Sequence, residues 1–416
     1  MGKIINDICI NFVLGIQYFR IIPPRDEWAE DFAHIKEIGL DTVKIEAVWS
    51  QIESIPGKYE WNEIDGLMDL ADKTGLKVLL TLTFETIPDA IFNVSNAFVM
   101  DLDRRQEPVK RGFGGVWRHQ CCWDNPLLLR HVEKYILTAV RRYRRHPALL
   151  FWDVFQEIDI PECTCGYTKK SYRQWLKAKY KDIRKVNKIY GERYRSFADA
   201  EPPYSRTSLE GQNYLNYTLF RAESLAKRIR WLNSLVKSLD KQHPVTAHAH
   251  SGTLNLPNEA AHDDWLAGRE VDFYGTSTHE FNSAHDNIPS FARAAANLQV
   301  QSSAARDKNY YWVTELSAGP AFGAGVIHRR LNERELSYNL WFSVAGGAKG
   351  IFLWQFKPER LFFHETPSAW GLCNLDGGET YRTKELREFI KILKKKRKAV
   401  FKDAASCERI RASLSP

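Results

Sequence analysis

The chain has 416 residues, 44% hydrophobic and 26% charged, with no low-complexity tract, so it reads as globular rather than disordered or fibrous. Its formal charge of +8 owes much to "RRYRR" (141–145) and "KKKRK" (394–398), which fall in helical patterns where a solvated basic face accounts for them. No nucleic-acid-binding fold accompanies these runs, and no apolar stretch is long enough for a membrane helix, so neither nucleic acid nor membrane is an expected partner.

Short apolar runs alternate with amphipathic helical segments along the chain. "LGIQYF" (14–19) is followed by a helix from Asp26 to Ile38, closed by Gly39. "TVKIEAVW" (42–49) precedes a helix from Glu63 to Thr74, closed by Gly75. "KVLLTLTF" (77–84) leads through a long loop to a helix from Leu127 to Arg145, and "LLFWDVF" (149–155), after an insertion, to one from Leu209 to Leu239. "PVTAHAH" (244–250) and a short helix near 259–267 come next, then "VDFYGTST" (271–278) and a helix near 289–305. "NYYWVTEL" (309–316) precedes a helix from Glu333 to Ala345, and "GIFLWQF" (350–356) one from Thr383 to about Ala399.

Eight β-to-α alternations, with glycine closing several helices, predict an α/β fold of the (β/α)8 TIM-barrel type. Residues 1–404 would form one catalytic domain and 405–416 a short tail. The inserts at 85–125 and 158–206 follow strands three and four, which places them on the rim that carries barrel active sites. The seven cysteines (Cys9, Cys121, Cys122, Cys163, Cys165, Cys373 and Cys407) are sparse and odd in number, and the sequence opens on no signal-peptide pattern. A reduced, cytoplasmic protein is expected.

The stretch "LLFWDVFQEIDI" (149–160) ends a buried strand with an amide and a carboxylate, Gln156 and Glu157. Glu315 tops strand seven in the same way. Two carboxylates across one barrel mouth suit glycoside hydrolysis, about 5–5.5 Å apart for retention and about 6.5–9.5 Å for inversion. Rim carboxylates are common in barrels, and Glu46 and Glu85 read as salt-bridged barrel residues. The histidines His248, His250 and His279 could ligate a catalytic metal, but no inward Asp or Lys pattern completes such a site, and a polar sugar-binding lining is the favoured reading.

The order and spacing of these pieces resemble glycoside hydrolase family 42, the β-galactosidase barrels. "GIQYFRIIPPRDEWAEDFAHIKEIGLDTVKIEAVWSQIESIPGKYEW" resembles the family's opening, "FWDVFQEI" its acid/base strand and "CTCGYTKKSYRQWLKAKY" its Cys-rich insert. "YYWVTELSAG" resembles its nucleophile strand, and "GAKGIFLWQFKPERLFFHE" its last strand and loop. The resemblance implies Glu157 as general acid/base and Glu315 as nucleophile of a retaining β-glycosidase, with β-D-galactosides as the substrate. It also implies Arg118 and Glu365 as substrate ligands. Gln156 would hydrogen-bond the sugar 2-hydroxyl, His279 would line the cleft, and Trp354 is either a platform under the sugar ring or a core residue. No cofactor is required for catalysis. A structural zinc on Cys122, Cys163 and Cys165 is implied, with Thr168 at the fourth cysteine's position and Cys121, His119 or water as other ligands; a vestigial site of free thiols is the alternative.

The chain departs from the family at several places. Gln156 replaces an asparagine, Arg195 stands where a tryptophan is expected, a tryptophan beyond the nucleophile is missing, and Ser368 lies where a histidine is expected. The trimerisation and β domains of the family are expected to be absent, which leaves a homo-oligomer open and keeps a non-catalytic glycan binder, or a glycosidase of other specificity, as alternatives.

Overall fold

The computed structural model describes residues 12–18, 24–102, 106–107, 110–113, 116–119, 121–157, 160–204, 211–249, 262–278, 290–305, 311–319, 322–323, 326–327, 334–358 and 370–400. Eight parallel strands close into a barrel: β1 Val13–Gln17, β2 Thr42–Val48, β3 Lys77–Thr83, β4 Leu149–Gln156, β5 Val245–Ala249, β6 Phe273–Thr278, β7 Tyr311–Ser317 and β8 Gly350–Trp354. Each strand pairs with its sequence neighbours, and β8 returns to β1 through Val13↔Gly350 to Ile16↔Leu353. The TIM-barrel expectation holds.

Eight helices follow the strands: α1 Arg25–Ile38, α2 Asn62–Thr74, α3 Pro126–Tyr143, α4 Gly211–Leu239, α5 Asp264–Gly268, α6 Ser290–Ala304, α7 Glu335–Ala345 and α8 Tyr381–Val400. Their ends follow local chemistry. Gly39 and Gly75 take left-handed φ values of 102° and 69° that a Cβ would resist, and so stop α1 and α2. Asn125 caps α3, its side chain accepting from the Leu127 and Leu128 amides, with Pro126 in the first turn.

The strand interiors divide the barrel lumen into a floor and a mouth. Val13, Leu79, Phe151, Phe273, Trp312 and Phe352 make one closed apolar cluster, in which Phe151 meets Trp312 edge-on at 4.5 Å. This layer plugs the lumen and leaves no space at Gly15, where an added Cβ would lie 2.4 Å from the Phe352 ring. The helices pack on the outer faces of the strands through the main core.

Both inserts rise from the carboxyl ends of the strands. The first carries a helix, Asp89–Ser95, and a hairpin pairing Lys110–Phe113 with Val116–His119. The second carries helices Gly166–Tyr180 and Ile183–Tyr190, which seat Tyr172, Trp175 and Leu176 against Tyr217 and Phe220 of α4. The two inserts are tied by Thr164, whose backbone N–H donates to Met100 O at 2.6 Å.

The crowded floor yields a stability prediction. Gly15→Ala should cost about 1–3 kcal/mol through overpacking against Phe352. In the Phe352→Leu background the same change should cost less, because the clashing ring is gone. Urea midpoints of the four proteins in this cycle measure the coupling. Strict additivity would show that the ring is not what excludes a side chain at Gly15.

Candidate active site

In a regular strand, side chains alternate between the lumen and the helices. Phe151 and Trp312 belong to the floor, so Gln156, five residues on, and Glu315, three residues on, would both face outward under strict alternation. Asp153 follows Phe151 inward by normal alternation, but Gln156 is three residues beyond Asp153. The β4–β5 register shifts between Asp153 and Gln156, and the β6–β7 register shifts as Thr276↔Val313 gives way to Ser277↔Glu315. These irregularities re-aim the side chains that follow, so that Gln156 and Glu315 join Asp153 in the lumen.

Lys44 of β2 lies at the centre of the polar layer and is fully buried. Its Nζ donates to Glu315 Oε1 at 2.8 Å and stands 3.9 Å from Asp153 Oδ2. Burial alone would lower its pKa, but Glu315, Asp153 and Glu46 together outweigh that and hold it above the usual lysine range. The ammonium is therefore charged, and the Glu315 carboxylate is its closest counter-ion. Gln156 bridges two carboxylates, its Nε2 donating to Glu315 Oε1 at 2.9 Å and to Glu46 Oε1 at 3.2 Å. Glu46 also accepts from Gln17 and Thr83, and its charge acts on Lys44.

Glu157 follows β4 directly, half-buried, with a left-handed φ of 50° that is uncommon for a residue bearing a Cβ. Its backbone N–H donates to His248 O at 3.1 Å, which locks the end of β4 to β5. One carboxylate oxygen each from Glu157 and Glu315 and a ring nitrogen of His248 lie within 4.8 Å of one another. Such outlier backbone geometry is typical of places where a side chain must be aimed rather than merely packed.

Several buried polar atoms at the mouth have no hydrogen-bond partner among the described residues. They include Gln156 Oε1, both ring nitrogens of His248, Ser277 Oγ, Thr278 Oγ1 and both amide atoms of Gln355. Buried polar groups are rarely left so, and a concentration of them at the carboxyl ends of barrel strands offers donors and acceptors to a polyhydroxylated ligand.

Of the residues proposed from sequence, Glu157, Glu315 and Gln156 converge on this mouth. Trp354 ends β8 and is 7% exposed. Arg118 stands opposite Arg111 in the rim hairpin. Its side chain, and His279, Glu365, His250 and Ser368 entirely, lie outside the described residues. Arg195 sits on the surface beyond the mouth, where its backbone N–H donates to Asp199. Lys44 was missed; its signal was a lysine and a glutamate two apart, Lys44 and Glu46, in a strand otherwise apolar.

Cys122, Cys163 and Cys165 come together between the inserts, their sulfurs within 4.8 Å of one another. Thr168 Oγ1 lies 3.3 Å from Cys122 Sγ and 3.7 Å from Cys165 Sγ, as its place in the sequence anticipated. Cys165 precedes the Gly166–Tyr180 helix, and hydrogen bonds from Cys122 and Cys163 draw its pKa well below that of an ordinary thiol. Cys121 packs in the main core instead.

The family model described as β-galactosidase, glycoside hydrolase 42, matches residues 18–396. A β-galactosidase, BgaA, of Clostridium cellulovorans is 21% identical over 322 residues, 74% of this chain and 46% of that protein. A β-galactosidase of Thermus thermophilus is 28% identical over 241 residues, 56% of this chain and 36% of that protein. Among solved structures, the β-galactosidase of the psychrophilic Marinomonas ef1 superposes with a TM-score of 0.82 at 20% identity, over 95% of this chain and 61% of that one. The chain thus spans less than half the length of these two curated relatives.

The buried ion pair makes a prediction that does not depend on any reaction. Lys44→Met should destabilise the fold by about 3–5 kcal/mol near neutral pH, because it strands buried carboxylates without their cation. In the parent, the raised Lys44 pKa means that its contribution is fully present below the ordinary lysine pKa and is lost only as pH rises beyond it. In the variant, the folded-state pKa of the stranded carboxylates rises above the unfolded value, so stability should be greatest in mild acid and fall as pH rises. Urea midpoints at pH 5 and pH 8 measure this; a deficit of equal size at both would mean that the carboxylates do not depend on Lys44.

Proposed function

The chain belongs to glycoside hydrolase family 42, the β-galactosidase family, and from that premise we propose that its barrel hydrolyses terminal β-D-galactosides with retention of configuration. The observation that carries this reading is the closeness of Glu157 and Glu315, with oxygens within 4.8 Å, at the carboxyl ends of the strands. Oxygens that close suit the direct attack of a retaining enzyme, whose carboxyl groups stand about 5–5.5 Å apart, better than the separation of about 6.5–9.5 Å used for inversion.

Glu315 is the nucleophile. Lys44 and the Gln156 amide hold its carboxylate as an anion in a buried setting, aimed by the β7 irregularity. It attacks the anomeric carbon while Glu157 gives a proton to the departing glycosidic oxygen, and a glycosyl-enzyme ester forms. Glu157, now a carboxylate, takes a proton from the water that attacks the anomeric carbon and releases Glu315. Gln156 has given its N–H groups to carboxylates, so its Oε1 is the atom that accepts from the sugar 2-hydroxyl. The galactose preference rests on family membership; the departures at Gln156 and Arg195 bear on the choice of sugar, whereas both carboxylates of the chemistry are kept. That no disulfide joins the five described cysteines fits a cytoplasmic setting, and no described helix is long and apolar enough to cross a membrane.

We also propose a structural zinc on Cys122, Cys163 and Cys165. Three clustered sulfurs, one already favoured as thiolate, are the donor set zinc takes in structural sites, and Thr168 faces the remaining direction. The ion would clamp the first insert to the second and take no part in the chemistry. About one zinc per chain is expected by elemental analysis, lost with a lowered Tm in Cys163→Ser; a zinc-free parent with the same Tm before and after chelator treatment would refute it.

The hydrolysis proposal is tested with nitrophenyl and alkyl β-galactosides. Glu157→Gln should slow cleavage of the alkyl glycoside, which needs protonation, by about 10²–10⁴-fold, and much less for a dinitrophenyl leaving group. Glu315→Gln should be inert on both, and NMR of the first product should show the β-anomer. An α-anomer as first product, or an active Glu315→Gln protein, would refute the assignment.

A further inference from the structure

His248 stands in the mouth, and no step of the proposed hydrolysis passes through it. His248 is 1% exposed, and neither ring nitrogen has a hydrogen-bond partner among the described residues. Its Nε2 is 3.7 Å from Glu315 Oε1 and its Nδ1 3.7 Å from Asp153 Oδ2, both too long for hydrogen bonds. Around it stand Asp153, Glu157 and Glu315, with Lys44 donating to Glu315.

We propose that Glu157, His248 and Glu315 form a binding site for a divalent transition-metal ion of the Zn²⁺ class, and that the ion and the glycoside exclude each other. Three observations converge. The three ligand atoms lie within 4.8 Å of one another, close enough to share an ion. One imidazole nitrogen with two carboxylate oxygens suits Zn²⁺, Co²⁺, Ni²⁺ or Cu²⁺, whereas Ca²⁺ and Mg²⁺ ask for more oxygens. Asp153 Oδ2 faces the other ring nitrogen at 3.7 Å, near enough that a small shift of the ring on binding an ion would let it orient the histidine, as carboxylates commonly do for metal-ligating histidines. Lys44 opposes a second cation, but Glu315, Asp153 and Glu46 all act on its charge, and Glu157 brings a further carboxylate to the ligand set. An ion held there occupies both carboxylates that the reaction uses. The inhibition rests on the hydrolytic reading; the binding does not.

Co²⁺ titration of the full chain, followed by visible absorption, tests the site directly. One Co²⁺ per chain should bind with weak d–d bands and no thiolate charge-transfer absorption, which distinguishes the mouth from the cysteine cluster. His248→Gln and Glu157→Gln should each weaken that ion by about tenfold or more, while Cys163→Ser keeps it. Circular dichroism checks that the variants fold, and the two ligand variants guard against the failure of either. In kinetics, Zn²⁺ should raise KM for the β-galactoside without lowering kcat, and Mg²⁺ should do nothing. Cobalt that binds only with thiolate charge transfer, or equally to the parent and both ligand variants, overturns the proposal. A chain that hydrolyses no glycoside yet binds Co²⁺ as described leaves the metal site standing and removes the hydrolytic reading instead.

Discussion

Four carboxylates, Glu46, Asp153, Glu157 and Glu315, share the mouth of this barrel with one buried ammonium, Lys44, and much of the surrounding structure is arranged to make that tolerable. A buried ion costs several kcal/mol unless it is paired and hydrogen-bonded. Lys44 meets Glu315 directly and faces Asp153, which also accepts from Thr81 at 3.2 Å. Glu46 is satisfied by three donors from three strands, Gln17, Thr83 and Gln156. The bridging amide explains the chemistry at Gln156. A side chain rooted on β4 reaches toward Glu46 on β2 and Glu315 on β7 at once, and the extra methylene of glutamine gives it that span.

Building this layer above an apolar floor imposes a second constraint. Phe151 and Trp312 must point inward to plug the lumen, and strict alternation from Trp312 would then send Glu315 outward. The register shifts in β4 and β7 resolve the conflict, each lying just before the residue it re-aims. Glu157 is placed by another device, a left-handed backbone at the strand's end tied to β5 by one hydrogen bond. Floor and mouth are thus joined by irregular backbone, which is also where small errors in geometry would matter most to chemistry.

The regular parts of this design were legible in the sequence because they are local. Glycines after α1 and α2, the apolar runs of the strands and the 3.6-residue periodicity between them each report on a few neighbouring residues. The catalytic candidates were legible for a different reason, since Gln156–Glu157 and Glu315 break apolar strands at their ends. Lys44 was not read, because a lone lysine in an apolar run gives no hint that its partner is 271 residues away. The bulges were hidden as well, being a matter of how two strands pair rather than of what either contains. The resemblance put Thr168 at the fourth position of the cysteine cluster, and its hydroxyl lies 3.3 Å from Cys122 Sγ, while Cys121 packs into the core.

The carboxylates also connect the two things proposed for the mouth. An oxocarbenium-like transition state carries positive charge where the substrate is nearly neutral, and fixed carboxylates around it favour that state over the ground state. Such an arrangement cannot distinguish a developing carbocation from a metal ion by charge alone. Geometry must do it, and here His248 supplies a nitrogen donor that a sugar cation does not need and a Zn²⁺-class ion does. Replacing that imidazole by a group that cannot ligate would keep the electrostatic advantage while discarding the affinity for metal. A histidine retained at the centre of the acidic layer therefore leaves the mouth open to competition between ion and glycoside, and the outcome is set by the supply of free transition metal around the protein.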